Sequence, residues 1–130
     1  MKKIILCFIF VLLSAAYFYP QNISLKSLSG KYECVNGNIE SEIEINFIGD
    51  NKFYIEGFAV SDAGGHNYGI IEKSLAYYDR RRNKIVYNEY EYELYISIIS
   101  MNHLYIIDNA ISKSYFGMGI SFEGLYNRAD

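Results

Sequence analysis

Between residues 41 and 59 apolar and polar side chains alternate with a period of two, and only an extended strand gathers alternate residues on one face. Ile43, Ile45 and Phe47 fall on one side, Glu42, Glu44 and Asn46 on the other. Gly49-Asp50-Asn51 follows, three residue types that accept turn backbone. The alternation then resumes, with Phe53, Ile55, Gly57 and Ala59 set against Tyr54, Glu56 and Phe58. These two segments predict an antiparallel hairpin with one face on a core and the other towards water.

The same signal continues on both sides. Residues 30–35 read as a strand closed by Asn36-Gly37, a dipeptide that tolerates positive φ and marks a tight hairpin. After a break at Asp62-Ala63-Gly64-Gly65, residues 68–78 read as extended, followed by a polar turn at Asp79-Arg80-Arg81-Arg82-Asn83. Residues 85–87, 90–98 and 104–107 continue the series, with turns near Asn102 and at Asp108-Asn109, and residues 119–128 are the last predicted strand. Tyr occurs 14 times and Phe 8 times, Trp is absent, and the one Pro is Pro20. Aromatic and β-branched residues favour a pleated, half-buried surface. About eight short strands joined by tight turns predict an all-β antiparallel meander. An up-and-down barrel is favoured, because closure removes exposed edge strands. A sandwich is the alternative.

The beginning of the chain reads differently. Lys2 and Lys3 precede an unbroken apolar run over residues 4–13, then Ser14-Ala15-Ala16. A cationic start, a short apolar stretch and small residues at the cut define a secretory signal peptide. The run is too short for a spanning helix, which needs about 20 apolar residues. Cleavage is expected near Ala16, giving a signal peptide at 1–16, an N-terminal leader at 17–28 and one β-barrel domain at 29–130. The mature protein is expected to be periplasmic or secreted, and soluble. Loss of Lys2 and Lys3 leaves 10 basic against 15 acidic residues, a net charge of −5. That balance disfavours nucleic acid, whose binding rests on cations meeting phosphates, and suits a basic partner. Cys7 leaves with the signal, so Cys34 stands alone, either buried and inert or open to an intermolecular disulfide.

Gly30-Lys31-Tyr32 opens the domain and Phe116-Gly117-Met118-Gly119-Ile120-Ser121-Phe122-Glu123-Gly124-Leu125-Tyr126 closes it. The closing stretch resembles the C-terminal signature of small exported bacterial β-barrel proteins, some of them similar to periplasmic lysozyme inhibitors. The resemblance implies a barrel acting on a protein partner. It also implies a disulfide from a Cys just before the Phe-Gly element to an earlier strand. Tyr115 stands at that place and no Cys lies near Glu93, so this chain departs from the pattern there.

No catalytic constellation is legible. One mature Cys and two isolated His, His66 and His103, do not supply the three or four ligands of a zinc site. No Gly-x-Ser-x-Gly elbow is present. The glycine-rich segment 64–69 lacks the Lys-Ser/Thr ending of a phosphate loop. No cofactor is expected. Glu89, Glu91 and Glu93 share one strand face, which is the ordinary solvent face of an acidic strand. Two clusters remain as candidate partner contacts. His66, Asn67 and Tyr68 form a loop that could enter a partner's cleft, since loops on rigid scaffolds carry binding functions. Arg80, Arg81 and Arg82 could meet carboxylates or phosphates. The sequence therefore predicts an exported, non-enzymatic binding protein that meets a protein in the cell envelope, with a basic cell-wall hydrolase that it inhibits as the first choice. A lipocalin-like small-ligand carrier with a Tyr-lined barrel is the alternative, because eight strands can enclose one ligand.

Overall fold

The computed structural model describes residues 23–61, 67–89, 92–109, 116 and 119–130. The expected signal segment and the first half of the expected leader, residues 17–22, lie outside the described residues. Eight strands pair in chain order, each antiparallel to the next: β1 (Gly30–Asn36), β2 (Ile39–Gly49), β3 (Lys52–Ser61), β4 (Asn67–Asp79), β5 (Lys84–Glu89), β6 (Tyr92–Ile98), β7 (His103–Asp108) and β8 (Gly124–Arg128). β8 returns to β1 and closes the up-and-down barrel.

Local chemistry sets the register. Asp50 and Asn51, at φ 51° and 58°, take the two positive-φ positions of the β2–β3 turn, which matches the twist of the flanking strands. Phe47 then pairs with Phe53, Ile45 with Ile55 and Glu44 with Glu56. At the β1–β2 turn the two loop residues are Gly37 and Asn38, one position later than Asn36-Gly37 suggests. Asn36 completes the ladder opposite Ile39, and Gly37 takes φ 63°.

The strands are unequal. β1 to β4 have 7, 11, 10 and 13 residues, and β5 to β8 have 6, 7, 6 and 5. β4 pairs with β3 from Tyr77 to Asn67 but with β5 only at Tyr77, Tyr78 and Asp79. The first four strands thus form one tall, continuous wall.

The last strand begins later than the alternation predicts, at Gly124 rather than at residue 119. Gly119 turns at φ 83°. The Asp108 carboxylate then accepts hydrogen bonds from the Phe122 backbone N–H at 2.9 Å and the Ser121 hydroxyl at 2.8 Å. A side chain supplies the partner that a neighbouring strand would have supplied. Ile120 and Phe122 still point inward and are fully buried.

Inward residues from every strand fill the interior: Tyr32, Ile43, Ile45, Phe53, Ile55, Ala76, Ile85, Leu94, Ile96, Leu104, Ile106 and Tyr126 are all fully buried. Tyr92, Phe116 and Phe122 stack edge-on in sequence, with ring centroids 4.9 and 5.2 Å apart. The Tyr126 hydroxyl donates to the Phe122 carbonyl at 2.8 Å and lies 2.6 Å from the Ser41 Oγ. Burial pushes the Tyr126 hydroxyl well above its ordinary pKa. At the opposite end Leu25–Leu28 form a single 3-10 turn, and Leu28 is fully buried against the barrel. Arg128 holds this turn. Its Nη1 donates to the Ser27 carbonyl at 2.9 Å and the Met101 carbonyl at 3.1 Å, its Nη2 donates to the Ser29 carbonyl, and its Nε meets Asp130 at 3.0 Å. The Arg128 guanidinium and the Lys31 backbone N–H hold the Asp130 carboxyl below its ordinary pKa.

Glycine lets the filling reach the wall. A Cβ on Gly69 would lie 2.8 Å from Ile120 Cγ2 and 2.9 Å from Phe116 Cγ, and one on Gly57 would lie 3.0 Å from a Phe122 ring carbon. Gly69→Ala is therefore expected to destabilise the fold by about 1–3 kcal/mol through overpacking. Urea unfolding checks this, and in an Ile120→Ala background, which removes the Cγ2 methyl, Gly69→Ala should cost less. An unchanged midpoint for Gly69→Ala would mean that Ile120 and Phe116 are not packed there.

Candidate binding interface

The outward positions of the tall wall carry an unusual combination. Glu33 comes from β1, Glu40, Glu42 and Glu44 from β2, Glu56 from β3 and Glu72 from β4, all alternating with buried neighbours. The ladder sets Glu33 directly opposite Glu42 and Glu44 directly opposite Glu56. Directly opposed like charges cost stability. Local cations offset little of this. Lys31 reaches Glu42 at 3.6 Å as an exposed pair, a type worth about 0–1 kcal/mol. Lys73 lies 5.0 Å from the centre of the Tyr54 ring.

Apolar side chains stand among these carboxylates. Phe58 is opposite Glu42 on one side and Ile70 on the other, and Val60 is opposite Glu40 and Tyr68. Phe58 is 47%, Tyr68 57% and Ile70 51% exposed, so about half of each large side chain remains in water. The Phe58 and Tyr68 rings are stacked, 6.3 Å apart at 25°. Two open hollows of about 320 and 350 Å³ flank Phe58, and both are bordered by Phe58 and Glu42. Glu33, Val35, Glu40 and Val60 also border one; Lys31, Glu44, Glu56, Ile70 and Glu72 also border the other.

The sequence-predicted candidates separate in space. His66 lies outside the described residues. Asn67 begins β4, and Tyr68 next to it joins the exposed patch beside Phe58. Arg80, Arg81 and Arg82 occupy the β4–β5 turn, at the other end of the thirteen-residue β4. Asp79 organises that turn: its Oδ1 accepts the Arg81 backbone N–H at 2.9 Å, and its Oδ2 meets the Arg82 guanidinium at 3.5 Å. Tyr68 and the Arg cluster therefore belong to two separate surfaces. Glu89 and Glu93 are engaged on their own strands. Tyr87 donates its hydroxyl to Glu89, and Tyr95 donates to Glu93 at 2.7 Å, which raises the Tyr95 pKa. Glu91 lies outside the described residues.

Cys34 points into the barrel and is 5% exposed. Burial pushes its thiol pKa up, against a smaller opposing effect from Ser41. A Cβ on Gly124 would lie 2.6 Å from its Sγ, so the space beside the thiol is already taken. Among the described residues no group of three or more His, Cys, Asp or Glu is placed to hold a metal ion, and no helix is long and apolar enough to cross a membrane.

The carboxylate wall is the feature that sequence reasoning missed. Glu42 and Glu44 were legible as outward residues, but the opposition of Glu44 and Glu56 depends on a one-residue register shift between Phe47 and Gly49, which the Asp50-Asn51 turn does not by itself reveal. The contributions of Glu33 and Glu72 depend on four strands lying side by side. The fold and this surface together define a small, closed, filled β-barrel with an acidic, partly aromatic outer wall. Comparison with protein-family models, curated proteins and solved structures found no match.

Glu56→Gln should stabilise the protein by about 0.2–1 kcal/mol by removing one member of an opposed pair. The gain should shrink in about 1 M salt, where the screening length falls to about 3 Å. Thermal unfolding at low and high salt measures both. A loss of stability at low salt would show that Glu44 and Glu56 do not repel each other.

Proposed function

We propose that this chain is an exported, non-enzymatic binding protein of the cell envelope whose partner is a basic protein. The first choice of partner is a cell-wall hydrolase, which it inhibits or restrains. One observation carries the reading: the tall wall directs Glu33, Glu40, Glu42, Glu44, Glu56 and Glu72 outward around exposed Phe58 and Tyr68. Two of these carboxylate pairs directly oppose one another. A cationic protein surface would relieve that repulsion on docking and be steered towards it over a distance. An outer wall of this kind suits an aqueous compartment, because carboxylates are costly in hydrocarbon.

The filled interior supports a role for the outer surface. Tyr32, Tyr92, Tyr126, Phe53 and Phe122 occupy the space in which a carrier would hold its ligand. The signal-like start of the chain supports export. Inhibition by blocking a cleft needs no chemistry from the inhibitor, which fits the absence of a legible catalytic set.

The test is a muramidase assay with the mature protein, paired with capture of partners from envelope extract. The expected result is stoichiometric inhibition of a basic muramidase, with the complex dissociating as salt is raised. No inhibition at molar excess, with no basic protein captured at low salt, would sink the reading.

A further inference from the structure

We infer that the exposed sheet face centred on Phe58 is the docking surface, and that it takes an arginine-bearing segment of a protein partner. The inference rests on the binding-protein reading above and adds to it the place of contact and the chemistry of what is bound.

The surface is first an apolar one. Phe58, Tyr68, Ile70 and Val35 are all substantially exposed on neighbouring strands, and an exposed apolar cluster of this kind marks an interaction site. Its border decides the occupant. In the ladder Phe58 faces Glu42, with Glu40 and Glu44 as the diagonal neighbours on β2 and Glu56 two residues back on its own strand. Every near carboxylate is an acceptor that an anionic or merely apolar partner would leave desolvated and unpaired, at a cost.

Among cations, the arrangement favours arginine over lysine. A guanidinium is planar and weakly hydrated, stacks on aromatic faces, and donates bidentately to carboxylates. An ammonium is a compact, strongly hydrated point charge that gains less from a ring face. Phe58 forms a ridge between the two hollows, each rimmed by glutamates. Two guanidinium groups from one segment fit this shape, one on each side of the ridge. In an extended segment, residues i and i+2 lie on one face about 6.6 Å apart and can straddle a single ring. Lys31, paired to Glu42 at 3.6 Å, is the cation that such a segment displaces.

Titration of the mature protein with an octa-arginine and an octa-lysine peptide of equal charge tests this, read by backbone amide NMR shifts and calorimetry. The arginine peptide should bind about tenfold more tightly than the lysine peptide. Shifts should map to the outward residues of β1 to β4. Phe58→Ser should reduce the preference for arginine, and the double variant Glu42→Gln/Glu56→Gln should weaken both peptides by at least about tenfold. Lys31→Ala should tighten binding. These substitutions sit on exposed side chains, and an unchanged amide spectrum away from the wall confirms folding.

Equal affinity for the two peptides, an arginine preference that Phe58→Ser leaves undiminished, or shifts centred on the β4–β5 turn or on β6 to β8 would overturn the proposal. So would a neutral chitin oligosaccharide that occupies the wall while both peptides fail to bind. The two readings can fail separately. Muramidase inhibition that Phe58→Ser and Glu42→Gln/Glu56→Gln leave intact retains the binding function and removes this surface. Arginine-selective binding at the wall without any muramidase inhibition retains the surface and removes the hydrolase partner.

Discussion

Closing eight strands leaves an interior that either side chains or a ligand must fill, and in this chain the connection between β7 and β8 supplies much of the filling. Asp108 is the pivot. Its carboxylate accepts hydrogen bonds from Phe122 N–H and Ser121, so the backbone leaves the ladder without losing a partner. Ile120 and Phe122 are thereby aimed inward, and Phe122 meets Phe116, which meets Tyr92. The wall accommodates them at Gly57 and Gly69, where any side chain would collide. At the other end Leu28 enters the barrel and Arg128 holds its turn through three carbonyls.

A barrel packed from both ends meets its surroundings through its outer surface. The inequality of the strands decides which part. β1 to β4 pair along most of their length, and β4 parts from β5 after three positions. The long half displays a broad face, and on that face sit the opposed glutamates and the exposed rings. The interior holds the barrel together and the wall carries an electrostatic cost. Cys34 belongs to the interior side of this division, its thiol pressed close to Gly124 and kept protonated by burial.

Much of the architecture was legible because period-two alternation and turn chemistry are local. Ile43 against Glu42 marks a half-buried strand, and Asp50-Asn51 fixes the hairpin that follows. Alternation alone could not show that residues 119–123 lack a ladder partner. Ile120 and Phe122 alternate with Gly119 and Ser121 just as strand residues do, and the replacement acceptor, Asp108, is more than ten residues away. The site was less legible. Glu42, Glu44 and Glu56 read singly as a solvent face, and only the register makes them opponents. The strand read over residues 68–78 is present as β4, and it carries Tyr68 and the Arg80-Arg81-Arg82 turn to opposite ends.

The account stands on the interior being occupied by the chain's own side chains. Titration of the mature protein with a fluorescent fatty acid measures this directly, with Phe122→Ala as the comparison. Absence of saturable binding to the unaltered protein is the predicted result, and Phe122→Ala, which opens a space of only about benzene size, should bind no fatty acid either. Saturable one-to-one binding to the unaltered protein, with the buried tyrosines perturbed, would contradict it.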